Sequence, residues 1–154
     1  IKLIRVTSAQ AMYAACHEYH NNVDVAITAA AVADYRPKNV ADQKIKKNEA
    51  TFSIELEKTK DILASLGEQK KKQFLIGFAL ETENENEHAK QKIQKKNLDL
   101  IVLNSLNDKG AGFGLPTNKV TFISKDFIVE PKELKSKEEV AQDIINKVIQ
   151  FYDA

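Results

Sequence analysis

The chain has 154 residues, 43% of them hydrophobic and 29% charged, with a formal net charge of +1. That length makes one domain able to bury roughly 68–70% of its unfolded surface, and near-neutrality argues against nucleic-acid binding through bulk positive charge. No apolar run approaches the ~20 residues that span a bilayer and no signal peptide is evident, so no membrane partner is expected; the single Cys16 allows no internal disulfide and fits a cytoplasmic protein.

Residues 2–6 read as a strand, and Thr7, with Gln10 three residues on, as the cap of a helix. Met12, Ala15, Cys16 and Tyr19 then fall at i, i+3, i+4 and i+7, one apolar face on which Cys16 is a core thiol rather than a nucleophile. Residues 23–30 form a near-continuous apolar run, expected as a buried strand. Residues 51–57 alternate, with Phe52, Ile54 and Leu56 on one side, and predict a half-exposed strand. A short helix over 61–69, a buried strand over 73–79, a helix over 86–95 and a strand over 98–103 follow. Gly110, Gly112 and Gly114 mark a loop before a hairpin built from 120–124 and 127–129. Ser136 with Glu139 is a second capping box, opening a helix that turns Val140, Ile144, Val148 and Phe151 inward. Strands alternating with helices predict a three-layer, Rossmann-like α/β fold, a mostly parallel sheet with a late antiparallel hairpin, as one domain over 1–154.

The stretch AAAVADYRPK, residues 29–38, carries the chemistry. Small side chains after a buried strand let a ligand approach the backbone, and open α/β sheets keep their ligands at the carboxyl ends of strands. An acid (Asp34), an aromatic (Tyr35), a cation (Arg36) and Pro37 follow, and the basic run KIKK begins at Lys44. An acid and a basic cluster along one loop suit a metal-bound polyphosphate. Neither G-x-G-x-x-G nor G-x-x-x-x-G-K-[ST] occurs, so a dinucleotide fingerprint and a P-loop are both missing. His17, His20 and His88 lack metal-ligand spacing and read as solvated.

AAAVADYRPK, then KIKK, then KTKDIL from Lys58, GFALET from Gly77 and AKQKIQKKNLDLIVLN from Ala89 form an ordered series. It resembles the synthetase domain of the phosphopantothenoylcysteine synthetase family, often the C-terminal half of a bifunctional decarboxylase/synthetase. The resemblance implies a cytoplasmic, CTP-dependent ligase of coenzyme A biosynthesis. It would activate the carboxylate of phosphopantothenate as an acyl-cytidylate and couple it to cysteine, with magnesium. It also implies a homodimer, fused to or associated with a flavin-dependent decarboxylase. By resemblance, Lys44 is the catalytic lysine and Asp34 the metal-binding acid. The nucleotide falls to Thr28, Ala29, Ala30, Asp34, Lys44, the segment Lys60, Asp61, Ile62 and Leu63, Phe78 against the base, and Lys92 and Lys96 on one helical face. Lys46 and Lys47 are expected to be surface charges. Lys60 stands where many relatives have Pro. The family's glycine-rich first strand and its substrate loop are not found before Ile1, so the chain is expected to lack them and to be inactive alone. CTP and ATP are not separated by these residues. A dinucleotide-binding module and an inactive nucleotide-binding fragment are the alternatives.

Overall fold

In the computed structural model the described residues are 1–45, 51–105, 107, 111 and 114–153. Along the chain they form α1 (Ala9–His20), β1 (Val25–Thr28), β2 (Tyr35–Pro37), β3 (Leu56–Lys58), α2 (Ile62–Gln69), β4 (Phe74–Glu81) and α3 (Glu85–Lys96). Then come β5 (Leu100–Ser105), β6 (Thr117–Asn118), β7 (Val120–Ser124), β8 (Val129–Pro131), β9 (Lys135–Ser136) and α4 (Lys137–Tyr152). The main sheet has the order β1-β4-β5-β7-β8. β1, β4 and β5 run parallel, whereas β7 is antiparallel to β5 and β8 to β7. The expected parallel core with a late antiparallel hairpin is present. A three-residue ladder, β2 with β3, and a two-residue ladder, β6 with β9, lie outside it.

Strand period decides the layers. On β4 and β5, Leu75, Ala79, Ile101 and Leu103 face one side and pack with Ile62 and Leu66 of α2 and Ala89 and Ile93 of α3, with Met12, Tyr13 and Cys16 of α1 against them. Phe74, Ile76, Leu100 and Val102 face the other side and meet Val140, Ile144 and Val148 of α4. Both faces of the central strands are thus covered, which is why β4 and β5 read as continuous apolar runs. Cys16 is half-buried, and burial pushes its thiol up, in keeping with a packing role.

Several local expectations need correction. Residues 2–6 form no strand: a strand needs a hydrogen-bonded neighbour, and no described strand pairs with them. The cap of α1 is Ser8, whose hydroxyl accepts the Ala11 N–H, not Thr7. The predicted strand over 51–57 shrinks to β3, and Phe52, Ile54 and Leu56 are all exposed. β1 is shorter than the apolar run suggested and is an edge, with Ile27 43% exposed. The second capping box is present in full, Ser136 and Glu139 exchanging both bonds. Phe151 is partly exposed yet lies 4.3 Å from the Phe74 ring.

His17 and His20 are not solvated. His17 bonds Ser65 at 2.9 Å and Gln69 at 3.1 Å. His20 is 2% exposed, with neither ring nitrogen hydrogen-bonded among the described residues. Burial pushes its imidazole below the ordinary range, against an upward pull from the Leu66 backbone, and nearby His17 adds to the lowering. The unfolded chain therefore gains this proton at about pH 6.5, where the folded chain does not. Stability from this group is full above that pH and is lost as pH falls through it, by up to about 1.4 kcal/mol per unit. Urea midpoints between about pH 7.5 and 5.5 should fall less steeply for His20→Leu than for the parent. Identical slopes would remove His20 as the source.

Candidate nucleotide site

Two cavities open at the carboxyl ends of β1, β4 and β5. The first, about 150 Å³, lies on the side of the sheet covered by α1 to α3. Its strand-end wall is Thr28, Ala30, Val32 and Ala33, and Asp34 stands at its rim. Lys60, Asp61, Ile62 and Leu63 supply the opposite wall at the start of α2, and Phe78 and Lys96 complete it with Met12 and Thr59. Nine residues singled out from the sequence therefore converge here: Thr28, Ala30, Asp34, Lys60, Asp61, Ile62, Leu63, Phe78 and Lys96.

Two glycines bring these walls together. A Cβ on Gly77 would stand 2.5 Å from Leu63 Cδ2, so the bare backbone of β4 lets the first turn of α2 sit over the strand end. A Cβ on Gly67 would stand 1.9 Å from the Lys96 carbonyl oxygen, so α2 and α3 touch backbone to backbone. Asn97, at φ 52°, ends α3 and donates its side-chain amide to the Gly67 carbonyl at 3.0 Å. The other wall is tied by two bonds: Thr59 N–H to the Asp34 carbonyl at 2.9 Å, and the Thr59 hydroxyl to the Ala33 carbonyl at 2.6 Å.

The charges are arranged in pairs. Asp61 caps α2 by accepting the Ala64 N–H at 3.0 Å and pairs with the Lys96 ammonium at 2.9 Å. Partial burial alone would raise its carboxyl, but the Ala64 N–H and Lys96 outweigh burial and hold it below the usual carboxylate range. The Lys60 ammonium lies 4.6 Å from the Tyr13 ring centre. Asp34 has neither an ion pair nor a side-chain hydrogen bond among the described residues, so its carboxylate is available to a cation. No group of three metal-type side chains forms among the described residues. That donor set fits magnesium, which takes one or two carboxylates and completes its shell with phosphates and water.

Three expected residues fall elsewhere. Ala29 points into the second cavity on the α4 side. Lys92 is paired with Glu81, which also has His88 at 3.5 Å, and does not line the first cavity. Lys44 is exposed on the segment after β2 and lines neither cavity. Lys46, Lys47, Gly110 and Gly112 lie outside the described residues. Sequence reasoning missed Glu81, Asn104, Asn118 and Lys137 at the same sheet edge. The one available signal was Asn104, a polar residue at the end of an apolar strand.

This open α/β domain belongs to the family described as DNA/pantothenate metabolism flavoprotein C-terminal domain, which it matches over residues 1–152. Among individual proteins, it is 51% identical over 150 residues to a cysteine/cysteine sulfinic acid decarboxylase from an unidentified prokaryote, covering 97% of this chain and 42% of that one. It is 43% identical over 147 residues to the coenzyme A biosynthesis bifunctional protein CoaBC of Bacillus subtilis, covering 96% of this chain and 36% of the relative. The chain thus spans about two fifths of these relatives. The crystal structure of the C-terminal domain of a CoaBC protein superposes with a TM-score of 0.78 at 44% identity, covering 97% of this chain and 67% of that one. The fold alone is shared with Cab2 H337A in complex with phosphopantothenate-cysteine, at a TM-score of 0.72 and 19% identity, over 98% of this chain and 52% of that one. No helix of the described residues is long and apolar enough to cross a membrane.

Proposed function

We propose that this chain is the nucleotide-binding part of a phosphopantothenate–cysteine ligase of coenzyme A biosynthesis, using CTP and magnesium. The observation that carries the reading is the convergence of those nine residues on one cavity. A carboxylate expels oxide poorly, so the substrate carboxylate oxygen attacks the CTP α-phosphorus and the bond to pyrophosphate breaks. The cysteine amine then attacks the acyl carbon, loses a proton, and CMP leaves. Phe78 stacks on the base, the backbone of 28–30 and 60–63 borders the nucleotide, and Lys96, Lys92 and Lys44 receive the triphosphate, Lys44 reaching it only when its segment closes. Lys92 exchanges Glu81 for phosphate. Magnesium, held by Asp34 with the triphosphate, would neutralise charge on the departing pyrophosphate.

CTP with magnesium should raise the melting temperature, by an amount set by RT ln(1 + [L]/Kd), about 2.7 kcal/mol at a hundredfold excess. NADH should not. A shift with NADH and none with CTP would establish the dinucleotide-module reading instead. ATP in place of CTP tests the base. The 51% identical relative supports a second reading, service in a decarboxylase of cysteine or cysteine sulfinate. CO2 release from either by the longer protein without CTP would favour it. The ligase is assigned to the cytoplasm and to a homodimer, for which the exposed Val40, Phe52, Ile54 and Leu56 offer an apolar face; sedimentation returning only monomer would remove the dimer. A flavin-dependent decarboxylase domain, fused or associated, is the remaining partner.

A further inference from the structure

Glu81 closes β4 at its carboxyl end, and its side chain is only 14% exposed. Two basic side chains of α3, one turn apart, share it: Lys92, whose ammonium it holds, and His88, whose Nδ1 stands 3.5 Å from its other oxygen. The further carboxylates near His88 are Glu85 and Glu87 of its own helix. Glu85 accepts from Ser105 of β5 and from Asn107, and Glu87 is exposed. Along the rest of α3, the Lys90 ammonium lies 5.9 Å from the Phe127 ring centre and Lys96 is held by Asp61. Among the described residues, Glu81 is thus the carboxylate for which His88 and Lys92 compete.

Moving Lys92 from Glu81 to a phosphate would leave a mostly buried carboxylate without its cation, and breaking a buried pair in this way is strongly unfavourable. A protonated His88 removes that obstacle twice over. It keeps a positive charge beside Glu81 after Lys92 departs, and it repels Lys92, as like charges at i and i+4 on a helix do. A neutral imidazole does neither. We propose that Glu81 is a positioning residue for Lys92, and that the proton on His88 decides whether Lys92 is held on Glu81 or delivered to the nucleotide. This rests on the ligase reading and adds to it a regulation of the same site. Binding then favours the protonated ring, so nucleotide affinity rises as pH falls through the ordinary histidine range, and the complex takes up a proton as it forms.

The test is a calorimetric titration with CTP and magnesium at about pH 6 and about pH 8, on either side of the histidine range. The proteins compared are the parent, His88→Gln, Glu81→Gln and Lys92→Met. The phosphates of CTP titrate over the same range in every case, so the comparison of parent with variant isolates the protein. Affinity should gain at least about fivefold more on acidification in the parent than in His88→Gln. Buffers of different ionisation heat should reveal proton uptake in the parent that His88→Gln lacks, a readout that a merely structural role would not move. Glu81→Gln should bind more tightly than the parent at the higher pH, because nothing holds Lys92 back. Lys92→Met should bind more weakly than the parent and show only the pH dependence of His88→Gln. Equal pH dependence in the parent and His88→Gln, the parent's full dependence surviving in Lys92→Met, or weaker binding by Glu81→Gln at the higher pH would each overturn the assignment and leave the nucleotide reading standing. CTP binding by none of the four proteins at either pH would overturn both.

Discussion

Asp99→Ala is expected to cost about 3–5 kcal/mol, a large part of the stability of a domain this size. Asp99 sits just before β5 with its side chain 9% exposed, and it accepts the Lys70 ammonium at 2.9 Å and the Leu75 N–H at 2.8 Å. Its backbone is committed as well, N–H to the Leu75 carbonyl and carbonyl from the Lys125 N–H, both at 2.9 Å. One residue thus ties the ends of α2, β4 and β7 to β5. Removing it leaves a buried ammonium, itself 12% exposed, and an orphaned amide. Adding Lys70→Met should recover part of the loss, since the uncompensated charge goes. Urea unfolding of both variants checks this, and a loss below about 1 kcal/mol for Asp99→Ala would mean that water reaches the site freely.

On the proposed ligase reading, Lys44→Ala in the full-length protein should lower turnover about 10²–10³-fold, as removal of one preorganised charge donor typically does. Lys47→Ala should change it little. The contrast matters because Lys44 stands away from the cavity, on a segment where a lysine could act merely as diffuse charge. A general electrostatic funnel would give similar, salt-sensitive losses at both positions, with the effect shrinking as ionic strength shortens the Debye length. Pyrophosphate release measured for the two variants at low and high salt separates these. Equal, salt-dependent losses would end the special role of Lys44.

Elements whose stability is local or doubly buried were legible. The Ser136–Glu139 box announces α4 from four residues, and Asp61 fixes the start of α2, because capping needs nothing beyond neighbours in the chain. β4 and β5 announce themselves by apolar runs. Residues 2–6 and 51–55 misled for the opposite reason. Their apolar pattern was correct for strands, but a strand exists only with a partner, and composition does not say whether one is there. The cavity was legible through ordered motifs rather than physics, and its lining residues come together because two glycines let α2 approach β4 and α3. Lys92 shows the limit. Its helical spacing from Lys96 is correct, yet Glu81, on the neighbouring strand, decides where its charge goes. Asp99 was lost inside an apolar run for the same reason, since the partner that makes it structural is 29 residues away.

The contact of Gly67 with the Lys96 carbonyl also bears on how the site can move. Helices that meet through side chains slide by exchanging rotamers, but two backbones in contact have no such slack. α2 and α3 therefore form a fixed jaw, and the distance between Asp61 at one end and Lys96 at the other is set before any ligand arrives. If the site closes on a nucleotide, the moving jaw must be the Asp34–Thr59 side, which is bonded within itself, Thr59 to the Ala33 and Asp34 carbonyls. Closure is then a hinge about residues 59–61, with Lys44 carried inward on the moving side.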